Sequence, residues 1–120
     1  MSTTLTPEAE VDPFVGPDGA SGEISLRPDP GRQQVCVELS TEGFDLVLAH
    51  IHEAPVGENG PVVVDFTELI DGDGASGCVT VDRATIVEII SGPADYYVNL
   101  HEGVPPTDGF FSAIRGQLGR

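Results

Sequence analysis

The strongest constraint on this chain is its punctuation. Fifteen glycines and ten prolines interrupt 120 residues, leaving stretches of about four to eight residues, the length of strands and too short for most helices. Within those stretches apolar and polar residues alternate, as they do on a half-buried strand. Residues 23–26, 33–40, 46–52, 61–66, 78–81, 96–101 and 110–118 read this way. Val62, Val63 and Val64 in succession suggest that their strand is covered on both faces. Residues 82–90 change rhythm, with Ile86, Ile89 and Ile90 at helical spacing, Asp82 as N-cap and Ser91, Gly92 and Pro93 as the stop. Breaker-rich segments at 27–31 and 41–44 read as turns, and 71–77 and 102–109 as loops. The expected fold is all-β, an antiparallel Greek-key sandwich or barrel of about seven to eight strands with one short helix. Residues 1–120 suffice for one domain and one core. Residues 1–20 are expected to form an extended arm, with at most a short edge strand, anchored by Val11, Phe14 and Val15.

Charge narrows the partners. Twenty acidic residues face five arginines and no lysine, a formal net charge of −15. Such a surface repels phosphate backbones and anionic membranes, so nucleic acid is not an expected partner. Without lysine there is no Schiff-base chemistry. Membrane insertion is not expected, because no apolar run approaches the roughly 18 residues of a spanning helix. The first ten residues show neither a basic start nor an apolar segment, so no signal peptide is visible. Either the protein stays in the cytoplasm or a leader has been removed.

Two cysteines bear on that choice. Cys36 alternates with Val35 and Val37, and Cys78 neighbours Val79, so both lie on the polar side of their strands. There they can clip neighbouring strands together, a bridge worth about 4 kcal/mol by loop entropy. A disulfide, and with it an oxidising compartment, is the favoured reading, against two free thiols in a cytosolic protein.

The chemistry concentrates in histidine. His50 and His52 sit two apart on one strand, so their side chains share a face, and the third histidine of the chain, His101, ends another strand. Three neutral imidazoles with an open position suit copper or zinc, and copper is favoured by intrinsic affinity. The bland alternative is a polar network that fixes the fold, and a third is acid–base chemistry without metal. Glu53 and Glu102 adjoin histidines and are candidate carboxylates, although adjacent strand residues face opposite ways. Tyr97 shares the face of Asn99 and His101 and is a candidate site residue. Arg115 is a candidate for holding an anionic substrate or pairing with Glu53 or Asp95, against the plainer role of tying loops together through its five donors. The DGDG run at 71–74 lacks the remaining ligands of a calcium loop and reads as a solvated turn.

Five stretches in order, HIHE (50–53), GENGPVVV (57–64), SGC (76–78), YYVNLH (96–101) and AIRGQL (113–118), resemble the chordin-type (CHRD) domain. The resemblance spans residues 5–118 and implies an exported β domain. A weaker similarity, to copper–zinc superoxide dismutases, rests on the His-x-His-Glu strand, a later strand ending in His-Glu, and an arginine near the C-terminus. It implies a Greek-key barrel with a surface copper, with His50, His52, His101 and Arg115 in the matching places. No fourth histidine is present to bridge a second metal.

Three functions follow from these residues. One is a metal-binding domain with copper as first choice, storing metal or carrying out redox chemistry on a small molecule such as superoxide. Another is an extracellular module that meets a protein partner and uses its histidines structurally. The third is a metal-free acid–base enzyme. Monomer and homodimer are equally compatible with the sequence, and whether the protein is an enzyme stays open.

Overall fold

Short alternating segments can bury their apolar side only by facing another sheet, and the computed structural model of the chain is such a pair of sheets. It describes residues 1–9, 19–103 and 110–119. The anchors expected at Val11, Phe14 and Val15, and most of the connection 102–109, lie outside them. Nine strands are described: β1 (Ser2–Leu5), β2 (Ser21–Asp29), β3 (Gln34–Glu42), β4 (Leu46–Glu53), β5 (Val62–Asp65), β6 (Ile70–Asp71), β7 (Gly74–Thr80), β8 (Tyr96–Gly103) and β9 (Phe110–Gln117). One helix, α1 (Arg83–Ser91), links β7 to β8. All strand pairs are antiparallel, in a five-stranded sheet ordered β1-β2-β3-β7-β6 and a four-stranded sheet ordered β5-β4-β8-β9. The neighbours β3 with β7 and β4 with β8, far apart in sequence, are the Greek-key element.

The core lies between the sheets. Ile24, Leu26, Val35 and Val37 from one sheet meet Ala49, Ile51, Val98, Leu100 and Ile114 from the other. α1 adds Ile86 and Ile89, and Asp82 caps it by accepting from the Thr85 N–H at 3.3 Å. Ile90, at helical spacing with them, is exposed, because one short helix turns only a narrow stripe inward.

The architecture is a sandwich rather than a closed barrel, although one side comes close to closing. Beyond β1, Thr6 exchanges two backbone hydrogen bonds with Arg115 of β9, each 3.0 Å. Gly116 permits this approach, since a Cβ there would lie 2.6 Å from the Thr4 carbonyl oxygen. The N-terminal stretch thus opens with a short edge strand, which the expected arm allowed for.

Other boundaries moved for identifiable reasons. β2 continues through Pro28 to Asp29, where a turn was expected. Leu26 on the same edge bonds Met1, and β1 ends there, so the missing N–H of Pro28 breaks no ladder bond. The 71–77 loop is a hairpin, with β6 and β7 joined through Gly72, at φ +65°, and Asp73. Val62 is exposed and only Val64 is buried, because β5 is an edge strand covered on one face. Cys36 and Cys78 are paired across β3 and β7 and form a disulfide on the solvent side of their sheet. Among the described residues no helix is long and apolar enough to cross a membrane.

Candidate metal centre

The outer face of the four-stranded sheet breaks the rule that a face turned from the core is wet. Tyr97, Asn99 and Arg115 point away from the core yet are 2%, 5% and 2% exposed. Their register forms rows across the sheet. Asp65, His50, Asn99 and Arg115 make one row, and Val62, His52, Tyr97 and Gln117 the next. His101 pairs with Leu48, placing it diagonally beside His50. Register shifts fall between Ile51 and His52 and between Leu100 and His101, and such irregularities re-aim side chains.

The three histidines therefore converge. Ring centroids are 5.2 Å apart for His50 and His101, 5.6 Å for His50 and His52, and 6.5 Å for His52 and His101. One nitrogen from each lies within 4.8 Å of the other two. His50 Nδ1, His52 Nε2 and His101 Nε2 are buried and, among the described residues, have no hydrogen-bond partner. A buried polar atom left unmatched costs about 1–3 kcal/mol, so three in one place call for a partner.

A loop carbonyl fixes which His52 nitrogen carries the lone pair. His52 Nδ1 lies 2.8 Å from the Gly60 carbonyl oxygen. A carbonyl only accepts, so Nδ1 bears the hydrogen and Nε2 keeps its lone pair facing the cluster. On the far side of His50, Nε2 is 3.7 Å from Asp65 Oδ1, within ion-pair range but too long for a hydrogen bond. An acceptor behind the ring, as Gly60 is for His52, is how metal-ligating histidines are commonly oriented. Three such nitrogens within 4.8 Å are close enough for side-chain rotation to bring them onto one ion at about 2.0–2.1 Å.

Burial favours the neutral form of two of the rings, His52 and His101. Burial, followed by the neighbouring His50 and His52, pushes His101 down to about 4. His52 is lowered chiefly by burial, and also by His50 and Arg115, against the opposing pull of the Gly60 carbonyl. Neutral imidazole is the form a metal needs.

Residues 54–61 are folded over this face by the candidates flanking the histidines. Tyr97 stacks on His52 with centroids 4.9 Å apart and planes 6° from parallel. Its hydroxyl accepts the Gly60 N–H at 3.1 Å. Arg115 lies over the other face of Tyr97, with Cζ 3.5 Å from the centroid. It donates to the Pro55 carbonyl, Asn59 Oδ1 and Gln117 Oε1. Among the described residues it makes no ion pair, with Glu53 or Asp95 or any other carboxylate. Glu53 is exposed and accepts from the Tyr96 hydroxyl at 3.3 Å, outside the histidine cluster. That carboxylate, after burial, helps push Tyr96 up to about 12. The side chain of Glu102 lies outside the described residues.

Sequence reasoning missed Gly60, Asp65, Asn59 and Gln117. Gln117 alternates with Arg115, which gave a signal for a shared face. Gly60 showed only as a loop glycine, and nothing local revealed that its backbone meets both His52 and Tyr97.

An antiparallel two-sheet sandwich with three histidines gathered on one outer face is the class that fold and geometry define. The CHRD domain family model matches residues 1–118, and the chain belongs to that family. No curated protein and no solved structure matches the chain.

Proposed function

We propose that this CHRD domain binds one transition-metal ion through His50, His52 and His101, with copper as the metal. The observation that carries the reading is the set of three buried imidazole nitrogens within 4.8 Å of one another, unpartnered among the described residues. The tautomer set by Gly60 and the lowered proton affinity of His52 and His101 support it, since both leave lone pairs available. Copper comes before zinc because nitrogen donors rank copper above zinc. Three histidines are also a known zinc donor set, so zinc is the competing ion. When bound, the metal would supply a redox couple or a Lewis acid, and His50, His52 and His101 would supply the imidazole donors that hold it. The Cys36–Cys78 disulfide supports an exported setting, where such a site would hold copper or serve redox chemistry on a small molecule.

The test is elemental analysis of untagged protein, then Cu(II) titration followed by electron paramagnetic resonance. One copper per chain with nitrogen coupling, lost in His50→Ala and His101→Ala, is the expected result. No stoichiometric metal and no histidine-dependent binding would end this reading.

A second reading, an interaction module, is favoured by the opposite sheet. There a groove of about 630 Å³ is lined by hydroxyls and carboxylates, including Thr4, Glu23, Glu38 and Ser40. A protein partner captured equally well by wild type and by the His101→Ala variant would support that role.

A further inference from the structure

We infer that the buried guanidinium of Arg115 sets the oxidation state held at the three-histidine site, favouring monovalent over divalent copper. The inference rests on the proposal that this site binds copper. Arg115, Tyr97 and His52 form a pile: the guanidinium carbon sits 3.5 Å from the Tyr97 centroid, and Tyr97 stacks on His52 at 4.9 Å. One aromatic ring separates a fixed positive charge from a proposed ligand.

Among the described residues that charge has no carboxylate partner. Arg115 is 2% exposed, and its hydrogen bonds run to neutral acceptors, the Pro55 carbonyl and the amide oxygens of Asn59 and Gln117. Arginine does not lose its proton in proteins, and a buried charge is weakly screened. The proposed donors are three neutral imidazoles, which do nothing to offset the charge of the ion. Each unit of metal charge is repelled by Arg115, so a divalent ion meets twice the repulsion of a monovalent one.

Asp65 acts the other way. Its carboxylate lies 3.7 Å from His50 Nε2, but the side chain is 61% exposed. Water and salt screen an exposed carboxylate far more than a buried guanidinium, so Asp65 offsets only part of the repulsion from Arg115. Zn(II), divalent like Cu(II), is disfavoured by the same field.

The experiment measures dissociation constants of the full chain for Cu(I), by competition with bicinchoninate, and for Cu(II), by competition with nitrilotriacetate. Wild type is expected to hold Cu(I) the more tightly. Arg115→Gln is expected to shift the ratio about tenfold toward Cu(II), equivalent to about 59 mV in the one-electron potential. Arg115→Lys keeps the charge and is expected to stay within about threefold of wild type. A folded Arg115→Gln variant with an unchanged ratio would overturn the inference. So would Arg115→Lys shifting as far as Arg115→Gln, since the effect would then belong to the loop's geometry. Should Arg115→Gln fail to fold, the wild-type ratio decides, and tighter Cu(II) than Cu(I) overturns it. A chain that binds neither ion through its histidines removes the copper reading itself, a result distinct from copper binding that ignores Arg115.

Discussion

His52 owes its orientation to a residue with no side chain. Gly60 accepts from its ring and donates to the Tyr97 hydroxyl stacked beside it. A Cβ on Gly60 would overlap the Glu53 carbonyl. Gly60→Ala is therefore expected to lift residues 54–61 and free the His52 tautomer. Lost buried hydrogen bonds should cost about 1–3 kcal/mol in thermal unfolding. Copper affinity, measured by competitive titration, should fall about 10–100-fold, the usual effect of losing such an outer partner. Wild-type affinity in this variant would show that His52 needs no such lock. A second prediction concerns acid. His101, pushed down to about 4 mainly by burial, binds fewer protons folded than unfolded between that value and its ordinary 6.5. Its contribution to stability is thus complete above about pH 6.5 and is lost as pH falls toward 4. Metal-free protein should lose on the order of 1–2 kcal/mol between pH 7 and 5, after allowing for solvent at a partly buried site. Urea midpoints across that range test this, and the slope should flatten in His101→Gln. The histidine cluster was legible because a two-residue spacing fixes a face. Which nitrogen faces inward was not, because that depends on a loop backbone eight positions away.

Strand pairing explains what the breakers concealed. Pro28 and Gly72 both read as interruptions, yet one lies on a bare edge and the other turns a hairpin. Their meaning depends on the neighbouring strand, which a single segment cannot show. Alternation, by contrast, correctly placed Cys36 and Cys78 on the polar side, and their direct pairing across β3 and β7 follows from the register. The bridge closes a separation of 42 positions. Replacing both cysteines by alanine is expected to cost about 2–4 kcal/mol, chiefly by freeing the unfolded chain. Thermal denaturation at matched protein concentration measures the loss. Copper affinity should change less than about twofold, because distant sites without shared partners act independently. The disulfide belongs to the five-stranded sheet and the histidines to the other. A large affinity change in the cysteine-free protein would show that the two sheets are coupled through the core.

At the scale of the whole molecule, charge sets the terms on which the sandwich holds together. Twenty acidic residues on a 12.6 kDa chain are offset by five arginines, leaving a net charge of −15. One of those five, Arg115, is buried and serves the interior of a site rather than the surface. The exterior is thus more acidic than the composition alone suggests, and its self-repulsion opposes the compact state. Raising ionic strength from about 0.01 M to 0.15 M shortens the Debye length from roughly 30 Å to 8 Å, which screens most pairs across a molecule 42 Å long and 23 Å thick. The melting temperature should therefore rise by several degrees over that range at a fixed pH above 7. Scanning calorimetry of metal-free protein in sodium chloride would register the rise. Sodium sulfate at equal ionic strength separates screening from general salt effects, since sulfate also strengthens apolar burial. Equal gains in the two salts would assign the rise to repulsion between carboxylates. A gain in sulfate alone would mean that the surface charges lie too far apart to strain the fold, and that the acidity serves encounters with cations instead.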